Sequence, residues 1–253
     1  QTLKAAGRTT AMTGDGVNDI LALREADCSI VMAEGDPATR QIANIVLLNS
    51  DFNDVPEILF EGRRVVNNIG RIAPIFFIYS FLLAIICIAS ALFFNVNYLL
   101  IFPFIPIQIT LIDQFVEGFP PFVLTFERNI KPVEKHFLRR SLLLALPSAL
   151  MVVFSVLFIR LWGASHGWSA ADMSTVSYYL LGSIGFLSVI RACLPLNIWR
   201  ALLILFSVVG FYASAVVLKN LIEISLLTAT TFPVYLALMA IFTGVFILTT
   251  ILQ

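Results

Sequence analysis

The sequence of 253 residues is poor in charged side chains and in the residues that usually bind zinc. Only 13% of the residues are Asp, Glu, Lys or Arg, and the formal net charge is zero. Since nucleic-acid binding needs a basic surface, we expect no nucleic-acid partner. The three cysteines and two histidines are scattered, without a CxxC or a Cys/His cluster, so the sequence predicts neither a zinc site nor a disulfide framework.

Apolar side chains dominate what is present. They make up 59% of the chain, and the mean hydropathy of +0.92 is typical of a multi-pass protein of the lipid bilayer. A helix of roughly 20 apolar residues spans a hydrocarbon core of about 30 Å. Six stretches of residues 72–253 are long enough, and they are predicted as an all-α transmembrane bundle at about 72–94, 98–124, 141–162, 174–194, 198–218 and 229–250.

The loops between these stretches differ in charge, which predicts the orientation of the protein. Residues 127–140 contain five Lys or Arg, whereas residues 163–173 contain none. Basic loops stay on the cytoplasmic side of a membrane. We therefore place the 127–140 loop and the N-terminal region in the cytoplasm, and the compact loops favour a bacterial plasma (inner) membrane.

The first 50 residues have a different pattern, in which short apolar runs alternate with turn signals. This alternation predicts a parallel α/β sheet. The predicted strands are 9–12, 28–32 and 45–48, and the predicted helices are 17–26 and 37–43. Residues 51–71 then read as one amphipathic helix that continues into the first apolar stretch as a stalk.

A compact acidic turn, MTGDGVNDI, lies between the first predicted strand and helix. Gly14 and Gly16 permit backbone geometry that a Cβ atom would block. Asp15 and Asp19 supply hard oxygen ligands of the kind that Mg²⁺ prefers. Asn18 offers an amide donor at a helix start, where backbone N–H groups favour phosphate. The turn therefore predicts a Mg²⁺-phosphate site, with a helix-capping turn that binds no ligand as the alternative.

The longer run TAMTGDGVNDILALREADCSIVM resembles the P-type cation-transporting ATPases, and DFNDVPEILFEGRRVVNNIGR is similar to the stalk of that family. The resemblance covers essentially the whole chain. It implies that residues 1–50 are the C-terminal part of a cytoplasmic, haloacid-dehalogenase-like (HAD-like) phosphorylation domain. It also implies that residues 51–71 form the stalk and that residues 72–253 contain the fifth to tenth membrane helices.

The same resemblance assigns roles within the turn. Asp15 matches the aspartate that binds Mg²⁺, and Asn18 matches the asparagine that contacts the phosphoryl group. Asp19 matches the aspartate that orients the metal site from just behind. In phosphoryl transfer, a metal and such donors stabilise the charge of the transferred group. The residues that would shape the phosphate loop are Thr13, Gly14 and Gly16.

Other family motifs are missing from the chain. There is no DKTGT run to carry the phosphorylated aspartate, and the sequence begins without an initiator methionine. The resemblance therefore implies a C-terminal fragment that works with the N-terminal portion of the same pump. That portion would supply most of the ATP site, the actuator domain and four membrane helices. We expect the 253-residue chain alone to be inactive.

Two carboxylates interrupt the second apolar stretch. Asp113 and Glu117 are four residues apart, so a helix places them on one face. Ionised carboxylates in hydrocarbon are costly unless they face a cation, a cavity or each other. Gly118, Pro120 and Pro121 follow directly and are expected to unwind the helix and free carbonyl groups as ligands. Nearby oxygen donors are Gln108, Thr110 and Gln114.

In calcium pumps of the family, a carboxylate precedes a Gly-x-Pro run as Glu117 does here. A second calcium-pump carboxylate position falls on Leu83, and an earlier asparagine position falls on Ser80. The resemblance thus implies one cation site, completed by a helix outside this chain. We predict a site built from Asp113, Glu117, Ser80 and Gln114.

Oxygen ligands without cysteine favour a hard divalent cation such as Ca²⁺, Mg²⁺ or Mn²⁺. A pump for protons or K⁺ is the alternative, since paired carboxylates also carry protons. A non-enzymatic membrane module that reuses the fold is the second alternative.

Overall fold

The computed structural model describes residues 2–92, 104–133 and 136–252. The chain divides into two compact units, Gln1–Gly62 and Arg63–Gln253.

The first unit is built on a three-stranded sheet. Its strands are β1 (Ala11–Gly14), β2 (Cys28–Met32) and β3 (Ile45–Leu47). They are all parallel in the order β1-β2-β3, which confirms the predicted parallel sheet. The helices are α1 (Thr2–Ala5), α2 (Ile20–Glu25) and α3 (Pro37–Ile42), and a 3₁₀ turn over Val17–Asp19 leads into α2.

Burial explains why β2 is the central strand. Val31 is fully buried, and Leu23 of α2 and Leu47 of β3 are also buried. A strand covered on both faces is buried at consecutive positions, as Ser29, Ile30 and Val31 are, and the buried hydroxyl of Ser29 donates to Asn44 Oδ1 at 2.9 Å. The first strand starts two residues later than predicted, because Thr10 gives its backbone N–H to the Asp27 carboxylate at 2.8 Å.

A 3₁₀ turn over Phe52–Asp54 precedes the longest helix, α4 (Val55–Leu92). The side chain of Asp51 accepts the backbone N–H of Asn53 at 2.8 Å and so caps this turn. Pro74 lies inside α4 without ending it. The helix spans most of the predicted stalk and first apolar stretch, of which residues 93–94 lie outside the described part of the chain.

The second unit is helical. After α4, its helices are α5 (Pro106–Ile112), α6 (Phe119–Thr125), α7 (Phe137–Ser165), α8 (Ala170–Ala192), α9 (Ile198–Val217) and α10 (Phe232–Leu252). Five helices in the described ranges are long and apolar enough to cross a membrane, and they overlap five of the six predicted stretches. Of the remaining stretch, 98–124, residues 98–103 are not described, and the rest forms two short helices joined by a π-helical turn over Asp113–Gly118.

The helix α8 is the most enclosed of these candidate spans. In its most apolar segment 78% of the residues are buried within the protein, against 22–44% for the other four. Small residues such as Gly182, Ser183 and Gly185 let neighbouring helices approach closely. Tyr178 of α8 stacks on Phe211 of α9 with ring centroids 5.5 Å apart. This helix is therefore enclosed by its neighbours and can line an internal site of the second unit.

Candidate functional site

The acidic turn of the first unit is held together mainly by its own residues. Asp19 folds its side chain back, and Oδ2 accepts the N–H groups of Asp15 at 3.3 Å and Gly16 at 3.4 Å. A Cβ atom at position 14 would lie 2.7 Å from Cβ of Asp19, so only glycine fits there. Asp19 thereby shapes the turn, which leaves the side chains of Asp15 and Asn18 exposed at its surface.

A second contact ties the turn to the start of α3. The carbonyl of Asp15 accepts the N–H of Asp36 at 3.0 Å. Thr13 lies in β1 and Gly16 precedes the 3₁₀ turn, so strand and helix ends converge here. This is the edge of a parallel sheet at which ligands usually bind.

The donors of this turn fit Mg²⁺ in a limited way. No group of three or more His, Cys, Asp or Glu suited to a metal occurs in the described ranges. Asp15 projects one exposed carboxylate, and that of Asp19 is engaged by backbone N–H groups. Mg²⁺ is commonly held by one or two carboxylates, several waters and a substrate phosphate. The residues therefore suit a Mg²⁺ ion that arrives with a phosphate group.

The second unit contains a cavity of about 300 Å³ at the predicted cation site. Asp113, Glu117 and Ser80 all line it, so the structure brings together three of the four predicted residues. Gln114 is not among the lining residues. The other lining side chains come from α4, the 104–109 segment and α8; they are Phe76, Tyr79, Leu82, Phe104, Ile109 and Leu181.

Two polar atoms at this cavity are buried and unsatisfied. Neither Oε1 of Glu117 nor the hydroxyl of Tyr79 has a hydrogen-bond partner. An unpartnered buried polar group is costly, and more so for a carboxylate inside a membrane. The hydroxyl of Ser80 donates to the carbonyl of Phe76 at 3.2 Å, which leaves its oxygen able to accept or to bind a cation.

Tyr79 was not included in the predicted site. Its signal in the sequence is a polar ring tip within an otherwise apolar stretch. That signal alone does not show which way the side chain points.

The carboxylates sit on the π-helical turn. Phe119 donates its N–H to the carbonyl of Gln114, five residues back. Pro120 and Pro121 carry no N–H, so the carbonyls of Val116 and Glu117, four residues before them, lose their usual helical donors. The predicted unwinding was therefore wrong in form, because the chain widens into a π turn and stays helical. Such turns occur frequently at functional sites.

An ion-pair clamp holds the far end of α6, and no local pattern in the sequence predicts it. Glu127 accepts from Arg71 of α4 at 2.6 Å and from Arg200 of α9 at 2.6 and 2.7 Å. These bonds, first from Arg200 and then from Arg71, hold the pKa of Glu127 below its ordinary value of 4.5. The side chain of Asn68 adds bonds to the carbonyls of Thr125 and Glu127.

Comparison with known proteins gives consistent relatives. The chain is 75% identical to a probable cation-transporting ATPase, exp7, of Streptococcus pneumoniae over 98% of its own length. It is 38% identical to the calcium-transporting ATPase CtpE of Mycolicibacterium smegmatis over 83% of its length. A human calcium-transporting ATPase, type 2C member 2, is 30% identical over 62% of the chain. No protein-family model matches.

These matches cover only part of each relative. The chain spans 33% of the pneumococcal protein and 28% of the mycobacterial one. It therefore spans about a third of the length of the curated relatives that it matches most extensively.

Proposed function

Because this chain belongs to the cation-transporting ATPase family and spans about a third of its bacterial relatives, we propose that it is the C-terminal part of a P-type pump. In this proposal residues 1–50 complete a HAD-like phosphorylation domain and residues 51–71 act as the stalk. The cavity of the second unit holds the transported cation. ATP binds mainly to the N-terminal portion of the full-length protein, which also carries the phosphorylated aspartate.

The observation that carries the proposal is the unsatisfied carboxylate oxygen of Glu117 at a cavity shared with Asp113, Ser80 and Tyr79. A carboxylate in an apolar enclosure needs a counter-charge, and a transported cation supplies one. Carbonyl groups released by Pro120 and Pro121 add neutral oxygens on the same turn. Hard oxygen ligands suit a divalent ion, and the calcium-transporting names of several relatives favour Ca²⁺ over Mg²⁺ or Mn²⁺.

The acidic turn is the catalytic contribution of this chain. Asp15 is the Mg²⁺ ligand, and Asn18 hydrogen-bonds the phosphoryl group from the 3₁₀ turn. Asp19 holds the backbone of the turn in place through its bonds to residues 15 and 16. When bound, the metal would neutralise the charge of the transferred phosphoryl group.

The proposed location is the plasma membrane of a bacterium, with the first unit in the cytoplasm. The basic 127–140 loop supports this orientation through the positive-inside rule. Bacterial relatives at 75% and 38% identity support a bacterial source.

Cation-stimulated ATP hydrolysis by the full-length protein tests the function. The substitution Glu117→Gln keeps the shape of the side chain and removes its charge. Loss of the charge should raise the Ca²⁺ concentration needed for half-maximal stimulation at least tenfold, which corresponds to about 1.4 kcal/mol. Glu223→Gln, at an exposed carboxylate that does not line the cavity, is the control and should leave stimulation unchanged.

The same assay separates the alternatives. Stimulation by K⁺, or by acidification in the absence of any divalent ion other than Mg²⁺, would replace the divalent assignment. Unchanged Ca²⁺ stimulation in Glu117→Gln would contradict the site. Absence of ATP hydrolysis under every ion condition would favour a non-enzymatic module.

A further inference from the structure

The second unit contains another cavity, separate from the cation site, with a volume of about 340 Å³. We call it the basic cavity. It lies among residues 66–74 of α4, the loop at 129–133, the first two turns of α7 and the last turn of α8. It lies where the candidate membrane helices end and a polar loop begins, which is where the headgroups of a bilayer surrounding these helices would be.

The charged side chains that line the basic cavity all have the same sign. They are Arg71, Lys131, Arg140 and Arg191, and the described residues of its lining include no carboxylate. Glu127 neutralises part of this charge through Arg71, but it is not among the lining residues. Lys131 and Arg191 bring positive charge to the same space, and an anion within it would be attracted by both.

Arg191 is the most informative of these cations. It donates to the carbonyl of Leu144 at 2.7 Å and to the hydroxyl of Thr249 at 3.3 Å. Its guanidinium lies 4.5 Å from the centre of the Phe246 ring, and its Nε is buried without a partner. None of the described carboxylates lies within ion-pair distance of it. Neutral groups thus orient this arginine, and no carboxylate of the described residues compensates its charge.

The rest of the lining is apolar or carries neutral polar groups. Pro74, Val133, Phe137 and Leu144 provide apolar surface beside the cations, while Asn67 already donates to the carbonyls of Asn129 and Lys131. A ligand for this space therefore has an anionic head joined to an apolar body. Basic pockets between membrane helices at the cytoplasmic side bind phosphate headgroups of lipids.

We propose that the basic cavity binds a phosphate group, supplied by the headgroup of an anionic phospholipid. Lys131 and Arg140 contact the phosphate from the loop and the first turn of α7, and Arg191 provides the charge at the inner wall. Since α4, α7 and α8 all contribute to the cavity, an occupied site holds the ends of these three helices together. The site is independent of the transported ion and of the acidic turn.

Lipid binding to the full-length protein, purified in a neutral detergent, tests the proposal. Native mass spectrometry counts bound dioleoyl phosphatidylglycerol, with dioleoyl phosphatidylcholine as the neutral lipid. We expect one saturable phosphatidylglycerol per chain. Each basic residue near a membrane surface contributes about 1 kcal/mol, so Lys131→Gln with Arg140→Gln should weaken binding about tenfold to thirtyfold. Lys131→Gln alone, at an exposed residue, should weaken it about fivefold if the double variant does not fold.

The matched control is Arg128→Gln with Arg139→Gln. These exposed cations belong to the same loop and the same helix start but do not line the cavity. The control removes the same net charge and should alter affinity less than twofold. Equal losses in both double variants, or equal affinity for phosphatidylcholine, would overturn the proposal.

A second arm identifies the source of the phosphate. Two results together would assign the site to a free phosphate. Millimolar inorganic phosphate would compete in the parent but not in Lys131→Gln with Arg140→Gln, and phosphatidylglycerol would bind no more tightly than inorganic phosphate. Saturable phosphatidylglycerol binding that phosphate does not displace would assign it to the lipid. Absence of binding in both arms would contradict a phosphate site altogether.

Discussion

The acidic turn and the cation cavity both depend on a pair of carboxylates four residues apart, yet the two pairs are used in opposite ways. In the turn, the carboxylate of Asp19 accepts hydrogen bonds from backbone N–H groups and Asp15 is exposed to solvent. In the cavity, Glu117 has a buried oxygen with no partner, and the hydroxyl of Tyr79, which lines the same cavity, has none either. The first site is stabilised without a ligand, whereas the second leaves buried polar oxygens unsatisfied.

The difference follows from the surroundings of each pair. Water solvates an exposed carboxylate at little cost, so the turn needs only a defined shape to be ready for the proposed metal and phosphate. An apolar cavity provides no such solvation, and the free-energy cost of an unpaired charge there is large. The cavity is therefore expected to select for the charge of its occupant more strongly than the turn does.

The largest expected effect is the loss of catalysis when the exposed carboxylate of the turn is removed. Asp15→Asn keeps the backbone contacts of residue 15 but weakens the proposed Mg²⁺ ligand. We expect ATP turnover of the full-length protein to fall about 100-fold or more, as happens when a transition-state stabilising group is lost. The measurement is kcat at saturating Mg²⁺ and transported cation.

Asp36→Asn is the matched control for this change. Asp36 caps α3 by accepting the N–H of Ala38 at 2.7 Å, and asparagine caps a helix about as well. Turnover in the control should remain within twofold of the parent. A similar fall in both variants would mean that the turn responds to general disturbance of the sheet edge and that Asp15 has no special role.

The next effect concerns stability and separates the two regions. Glu127→Gln weakens the clamp between Arg71 and Arg200, which stabilises the second unit through charge-assisted hydrogen bonds. The Glu127 side chain is 25% exposed, so we expect a loss of about 2 kcal/mol rather than the larger cost of a fully buried pair. The measurement is the free energy of unfolding in detergent, and Glu223→Gln, at an exposed residue of the second unit, should leave it unchanged.

The pH dependence of this clamp has a definite sign. The folded protein holds the pKa of Glu127 below 4.5 through Arg200 and Arg71. The stabilisation is therefore fully present above about pH 4.5 and is lost as the pH falls through the lower folded value. The difference in the free energy of unfolding between the parent and Glu127→Gln should become smaller as the pH falls below about 4.5. A constant difference down to pH 3 would contradict the assignment.

The accuracy of the sequence-based prediction differs between the two regions, because one is built from neighbouring residues and the other from residues far apart in the sequence. The strand Cys28–Met32 and the parallel sheet were predictable, because apolar runs and turn residues are local signals. The cavity combines α4, the π turn and α8, which lie up to 105 positions apart between Phe76 and Leu181. Spacing placed Asp113 and Glu117 on one face, but it did not predict the π turn, the orientation of Tyr79 or the Glu127 clamp.

The smallest expected effect tests whether the hydroxyl of Tyr79 belongs to the cation site. Tyr79→Phe removes one buried oxygen and retains the ring. We therefore expect the cation concentration for half-maximal stimulation to rise about threefold to tenfold, with kcat unchanged. Tyr235→Phe is the control, because that hydroxyl bonds Ser183 and Tyr212 at 2.8 Å. It should change stability and leave cation affinity unchanged. Parental cation affinity in Tyr79→Phe would show that this oxygen is buried without contributing to the site. Equal losses of affinity in both variants would show that the affinity depends on packing around the cavity and not on its oxygens.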